Sequence, residues 1–218
     1  MTDTPIRLIG QKQSINTHKA ALMLAMTDMS FVFEVLNLLG AAHKTPEYEA
    51  INPWGRVPTL IDGDRVLHQT GPMLRYLARK TGMYGSDDEF ENYEIENWFG
   101  FATDYFSAGL ARLRYINRFM DGEPVPIKDH YRPNMLRGMD LLDRHLQAND
   151  WLVGGRPTIA EFCVHPFVYV WPDAEIDIAD WPAAGAWLER FQALRGWREP
   201  EAMLLEMSGE SDLLKAIR

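Results

Sequence analysis

Apolar positions along this chain change their rhythm near residue 85. Before that point short apolar runs alternate with mixed segments. Ile6 to Ile9 reads as a strand ending at Gly10. After the polar loop Gln11 to Asn16, the stretch Thr17 to Asp28 is rich in Ala, Leu and Met and reads as a helix. Phe31 to Leu38 supplies a second strand, and Thr45-Pro46-Glu47 opens a short irregular helix. Val57 to Ile61 and Arg65 to His68 read as strands on either side of an Asp62-Gly63-Asp64 turn, an ordinary hairpin signal. A helix then opens at Gln69-Thr70.

Gly82 to Asp88 reads as a linker, and beyond it no segment alternates convincingly. Residues 88–120, 129–148, 158–171, 183–195 and 199–207 read as helices broken by Gly and Pro. Thr158-Ile-Ala-Glu161 is a capping box, in which the hydroxyl caps one free amide and the carboxylate reaches back to another. The first half has the order β-α-β-α-β-β-α, a parallel βαβ unit joined to an antiparallel hairpin. The pattern therefore predicts an α/β thioredoxin-like N-terminal domain over 1–82 and an all-α helical-bundle C-terminal domain over 87–218. There is no internal repeat and no low-complexity segment.

Composition bounds the function classes. With 46% apolar and 24% charged residues in 218, the chain builds ordinary cores and is not disordered. No apolar run is long enough to span a bilayer, and the N-terminus lacks the basic and apolar regions of a signal peptide. The single cysteine, Cys163, excludes an internal disulfide framework and reads as a packed core residue. A cytoplasmic location is expected. The net charge of −9 is unevenly spread: residues 1–85 carry nine Lys/Arg against seven Asp/Glu, and the rest thirteen against twenty-four. An acidic helical half argues against nucleic acid or an anionic membrane as partner.

The hairpin's flanks carry the most information. Pro58 removes a ladder donor, and a cis Val57-Pro58 bond would turn the Val57 backbone outward toward a ligand. Gln69 and Thr70 stand at a helix N-terminus, where free N–H groups favour an anion. One side can pair with a backbone and the other can hold a carboxylate, which suits a small peptide. Asn52-Pro53-x-Gly55-x-Val57-Pro58-x-Leu60, followed by Gln69-Thr70 and a helix ending Tyr76-Leu77-Ala78, resembles the glutathione site of soluble glutathione transferases. His43-Lys44 and Arg56-Val57 resemble the theta-like, serine-type bacterial branch. The resemblance implies that Val57 pairs with the cysteinyl part of glutathione and that Gln69 with Thr70 holds its γ-glutamyl end. Ser is the commoner residue at position 70. The resemblance also implies glutathione as co-substrate, a homodimer, and a detoxifying transferase activity.

A bound thiol needs help to become a nucleophile. A free thiol has a pKa of about 8.5, so lowering it to about 6.5 raises the neutral-pH thiolate from roughly 3% to roughly three-quarters. Donors at a helix start can supply this. Tyrosine-type members of the family carry a Tyr near the end of the first strand; here the first Tyr is Tyr48, which excludes that branch. Ser14 resembles the serine of the Ser-x-x-Ser pattern, with Thr17 in second place, and Asn16 is the alternative thiolate donor. The plainer reading is that Ser14, Asn16 or Thr17 only caps the first helix.

Lys44 and Arg56, with His43 beside them, are candidates for the glycine carboxylate; without the motif they would read as a solvated positive face. Trp98, Phe101 and Tyr105 lie at helical spacing in the second half, where such stripes are usually core. The family places its pocket for a small apolar electrophile against this helix, so Tyr105 is a candidate wall, followed by Trp98, Phe101 and Tyr115. No His pair has metal-ligand spacing, so no metal is expected. Two rivals stand beside a conjugating transferase. One is a glutathione-dependent disulfide or peroxide reductase; the other is a binding or regulatory protein that kept the fold and lost the chemistry.

Overall fold

The computed structural model describes residues 5–38, 40–120 and 125–209. Five strands form one mixed sheet: β1 (Ile6–Gly10), β2 (Phe31–Val35), β3 (Thr59–Asp62), β4 (Arg65–Leu67) and β5 (Ser208–Gly209), in the order β4-β3-β1-β2-β5. β1 runs parallel to β2 and antiparallel to β3. The register places Leu67, Leu60, Leu8 and Phe33 in one row across the sheet, and the last three are fully buried. Ile9 turns to the opposite face, as strand alternation requires, and packs with Leu36, Ala42 and Tyr48. Arg7 and Glu34, diagonal neighbours on that face, form a two-pronged ion pair, with Nε to Oε1 at 2.5 Å and a second N–H to Oε2 at 3.1 Å. It compensates the near-complete burial of the Glu34 carboxylate.

Helix α1 (Ile15–Met26) is buried on almost every side, which explains its Ala, Leu and Met composition all round. A 3₁₀ turn (Ala42–Lys44), α2 (Pro46–Glu49) and α3 (Thr70–Thr81) complete the order expected from the sequence. Strand β2 stops at Val35 and β3 starts only at Thr59, after the proline, so both are shorter than their apolar runs.

The chain divides into two compact units. One comprises the residues up to Met83 together with the segment beginning at Arg195; the other is Tyr84–Leu194. The break between Met83 and Tyr84 falls within the Gly82 to Asp88 segment. The placement of the C-terminal segment differs from the expected 87–218 domain. Its short helix α9 (Pro200–Glu206) packs on α1 and buries Met203 and Leu204, and β5 then extends the sheet along β2. Gly196 makes this return path possible. With φ at +83°, it passes so near the end of α1 that a Cβ would lie 3.0 Å from the Met26 Cα. The apolar residues Leu213, Leu214 and Ile217, farther along the sequence, lie outside the described residues.

The second unit is helical: α4 (Glu89–Phe101), a π-helical stretch (Ala102–Leu110), α5 (Ala111–Phe119), α6 (Val125–Leu146), α7 (Ile159–Tyr169) and α8 (Pro182–Gln192). The π stretch interrupts what the sequence reads as one long helix. Gly109 and Gly138 let α6 cross it closely; a Cβ at Gly138 would sit 2.6 Å from that of Tyr105. The Asn134 amide donates to the Asp104 carbonyl at 2.6 Å, tying α6 to the widened turn. Helix α8 has no side-chain cap of its own; Asp143 of α6 accepts from the Ala183 and Ala184 amides instead, at 2.8 and 2.9 Å. The capping box forms as expected, with Glu161 accepting from the amide and hydroxyl of Thr158 and from the Leu152 amide. Burial pushes the Glu161 carboxyl up to about 7 despite these three donors.

Candidate functional site

Strand register alone assembles one end of the first sheet. Ile9 pairs with Thr59, and Leu60 pairs with Leu67. Because β3 is antiparallel to both β1 and β4, the residues that follow β1, precede β3 and follow β4 leave the sheet at the same end. The loop that leads to Ser14, the Val57 backbone and the start of α3 therefore share one edge. All three sit where β1 ends.

The Val57–Pro58 bond is cis, as the sequence suggested. Val57 is half-buried, with its side chain packed on the cluster of Ile9, Leu36, Ala42 and Tyr48. Among the described residues, neither its N–H nor its C=O has a backbone partner. Around it lies a ring of buried polar groups. The Tyr48 hydroxyl donates to the Arg56 carbonyl at 2.7 Å and lies 2.8 Å from the Thr59 hydroxyl. The Asn52 amide donates to the same two oxygens, at 2.8 and 2.9 Å. In the sequence Asn52 stands only as part of a motif and Tyr48 only as the first tyrosine, well beyond the first strand. Contacts from the Tyr48 hydroxyl to a carbonyl eight residues on and to a side chain eleven residues on leave no local signature.

Gly55 adopts φ +51° and takes a bond from its amide to the Asn52 carbonyl at 2.9 Å. A Cβ there would meet the His43 carbonyl and the Lys44 ammonium, each at 2.8 Å, so this turn and the 42–44 turn are in contact. Lys44 and Arg56 are exposed and His43 is half-buried. Burial, then the Lys44 charge, lowers the His43 pKa, with Glu49 opposing, so the imidazole is neutral at pH 7. The ring of Trp54 lies 6.2 Å from that of His68, beside Gln69.

Gln69 is the N-cap of α3 and makes no side-chain cap bond; Thr70 is the first helical residue. The first amides of α3 therefore keep their anion-binding capacity. The helix start is held from its other end. Tyr76 donates to Asp62 at 2.5 Å and Lys80 pairs with the same carboxylate oxygen. Burial pushes the Asp62 carboxyl up, but these donors outweigh it and hold the group below its usual range.

Ser14 is the N-cap of α1, its Oγ accepting from the Thr17 amide at 3.3 Å. Thr17 is fully buried, and its own hydroxyl accepts from the Gln11 amide at 3.4 Å. Asn16 is exposed in the first turn. A ring nitrogen of buried His18, Nε2, holds the Lys12 carbonyl at 2.5 Å and fixes the loop from below.

The aromatic candidates lie in the second unit. Trp98 donates to the Leu152 carbonyl at 3.1 Å and packs edge-on against Phe101 and His145. Phe101 packs on Tyr105 and Phe106. Tyr105 is half-buried, and Tyr115 is 52% exposed beside Phe119. Among the described residues no group of three or more His, Cys, Asp or Glu is placed to hold a metal ion, and no helix is long and apolar enough to cross a membrane. Cys163 is buried within α7.

Comparison with known proteins follows the same division. Residues 5–79 match the family model for "Glutathione S-transferase, N-terminal domain", and residues 106–194 match that for "Glutathione S-transferase, C-terminal domain". Glutathione S-transferase 3 of Zea mays is 27% identical over 72% of this chain and 74% of its own. The disulfide-bond oxidoreductase YfcG of Escherichia coli is 26% identical over 82% of this chain and 86% of its own. A glutathione transferase homolog from Lodderomyces elongisporus, solved with two GSH per subunit, aligns with a TM-score of 0.82 at 25% identity, covering 92% of this chain and 99% of that one. Two domain matches in this order, on a sheet and a helical unit of the matching kinds, leave one conclusion: the chain belongs to the glutathione transferase superfamily.

Proposed function

We propose that this protein conjugates the thiolate of glutathione to a small apolar electrophile, as a serine-type member of its superfamily. The observation that carries the reading is the unpaired Val57 backbone, which shares a sheet end with the start of α3 and with Ser14. Val57 pairs with the cysteinyl N–H and C=O. The γ-glutamyl carboxylate sits on the first amides of α3, oriented by Gln69 and Thr70. Lys44 and Arg56, with neutral His43 between them and the fold, take the glycine carboxylate. Ser14 accepts its cap bond through Oγ and keeps its O–H to donate to the sulfur.

The thiolate then attacks the electrophilic carbon, a C–S bond forms, and the leaving group departs with the electron pair of the bond that breaks. Proximity and thiol pKa depression supply the acceleration. Tyr105, with Trp98, Phe101 and Tyr115, contributes to the apolar pocket. A homodimer and a cytoplasmic location complete the proposal. Titration calorimetry with glutathione, followed by turnover of a chloronitroarene, tests it; absence of both heat and conjugate refutes it.

A second reading is favoured by Asn16, exposed in the first turn of α1, and by similarity to a relative named as a disulfide-bond oxidoreductase. There glutathione reduces a mixed disulfide, its sulfur forming the new S–S bond while the displaced thiol leaves. Faster turnover of a glutathione mixed disulfide than of the chloronitroarene selects this reading.

A further inference from the structure

We propose that Tyr48, Asn52 and Thr59 are positioning residues that hold the Val57–Pro58 dipeptide as a preformed docking edge. The inference rests on the glutathione reading above and adds residues that touch no ligand. The Arg56 carbonyl precedes the dipeptide and Thr59 follows it. Tyr48 and Asn52 each bond to both ends, at 2.7 to 2.9 Å, so two side chains clasp a two-residue segment between fixed points.

The two clasping side chains and Thr59 are fully buried, so water cannot substitute for a lost bond. The clasp is anchored on both sides. Tyr48 packs in the cluster with Ile9 and Leu36, and Thr59 is the first residue of β3, paired with Ile9. Asn52 Oδ1 also accepts from the Trp54 amide at 3.1 Å, which orients its donor end toward the Arg56 carbonyl. An edge fixed in this way need not be ordered when the ligand arrives, and that saving appears as affinity. The clasping side chains bond to the chain on either side of the dipeptide and not to Ser14, so their loss is read in binding.

The test compares the wild type with Tyr48→Phe, Thr59→Val and Thr59→Ser by steady-state kinetics and calorimetry with glutathione. Tyr48→Phe removes both hydrogen bonds of one hydroxyl and leaves Asn52 on both oxygens. KM for glutathione rises at least about five-fold, five-fold being the loss expected for a single neutral hydrogen bond. Both kcat and the pKa of the bound thiol stay put. Thr59→Val, which keeps the strand's ladder bonds, gives the same split if Tyr48→Phe fails to fold, and Thr59→Ser restores the wild-type KM. A residue of merely structural importance would lower the melting temperature without moving KM. If the wild type gives no heat with glutathione, the reading of the site fails. If the wild type binds and both Tyr48→Phe and Thr59→Val bind equally well, the site stands and the clasp is refuted.

Discussion

The amide of Thr17 donates to Ser14 Oγ at 3.3 Å, so the residue proposed to steady the thiolate also caps the helix on which it stands. Capping and catalysis are separable because the two roles use different parts of one hydroxyl: the cap uses a lone pair and the sulfur uses the hydrogen.

Ser14→Ala removes both roles at once, and two measurements resolve them. Thermal or denaturant unfolding should show a loss of about 1 kcal/mol from the cap. The bound thiol's pKa, read from thiolate absorbance, should rise by about one unit, and conjugation at pH 6.5 should fall about five-fold with glutathione affinity nearly unchanged. An unmoved thiol pKa assigns Ser14 to capping alone, and the same shift in Asn16→Ala transfers the donor role to Asn16.

Gln69→Ala and Thr70→Val act on the other end of the ligand. In the proposed site each contributes a bond to the γ-glutamyl carboxylate, so calorimetry should show glutathione binding weakened about ten-fold. The thiol pKa should not change, because the γ-glutamyl end is remote from the sulfur. Wild-type affinity in both variants would remove the α3 N-terminus from the site.

Helix starts and the hairpin were legible because their signals are local. Ser14 precedes an apolar run, Thr158 and Glu161 stand at capping-box spacing, and Gly63-Asp64 joins two short strands. The π stretch was not legible, since it is accompanied by Gly138 and Asn134, some thirty residues away in sequence. The return of the C-terminal segment was hidden for a related reason. Ser208–Gly209 has no strand propensity of its own and pairs only because α9 delivers it to β2. At the candidate site, Val57, Gln69 and Thr70 stand out in the sequence as a motif. The ring of Tyr48, Asn52 and Thr59 does not, because its geometry exists only once α2 has docked.

Acid should test the second unit. Arg156 grips Glu91 with two N–H groups at 2.7 and 3.0 Å and Ser86 donates at 2.5 Å, which lowers the Glu91 carboxyl to about 2. A depressed carboxylate stabilises the fold above its unfolded pKa, about 4.5, and that contribution is lost as pH falls toward 2. Urea midpoints measured from pH 6 to pH 2.5 should fall more steeply for the wild type than for Glu91→Gln. Parallel curves would show that the pair contributes nothing to stability.

Glu161 carries the opposite sign. Its carboxyl is raised to about 7, so the native state binds more protons than the unfolded chain between pH 4.5 and 7, and this group makes stability decline as pH rises through that window. Thr158→Ala removes the hydroxyl that bonds both the Ala160 amide and Glu161, and should cost about 1 to 2 kcal/mol at neutral pH by chemical denaturation. A loss below a few tenths of a kcal/mol would mean that Leu152 and the Thr158 amide hold Glu161 without the hydroxyl.

A high-resolution structure with glutathione bound is the most direct test of the central claim. The account predicts the cysteinyl N–H and C=O within 3.2 Å of the Val57 C=O and N–H, and the γ-glutamyl carboxylate on the first amides of α3. Glutathione bound elsewhere, with Val57 facing only solvent, would contradict it.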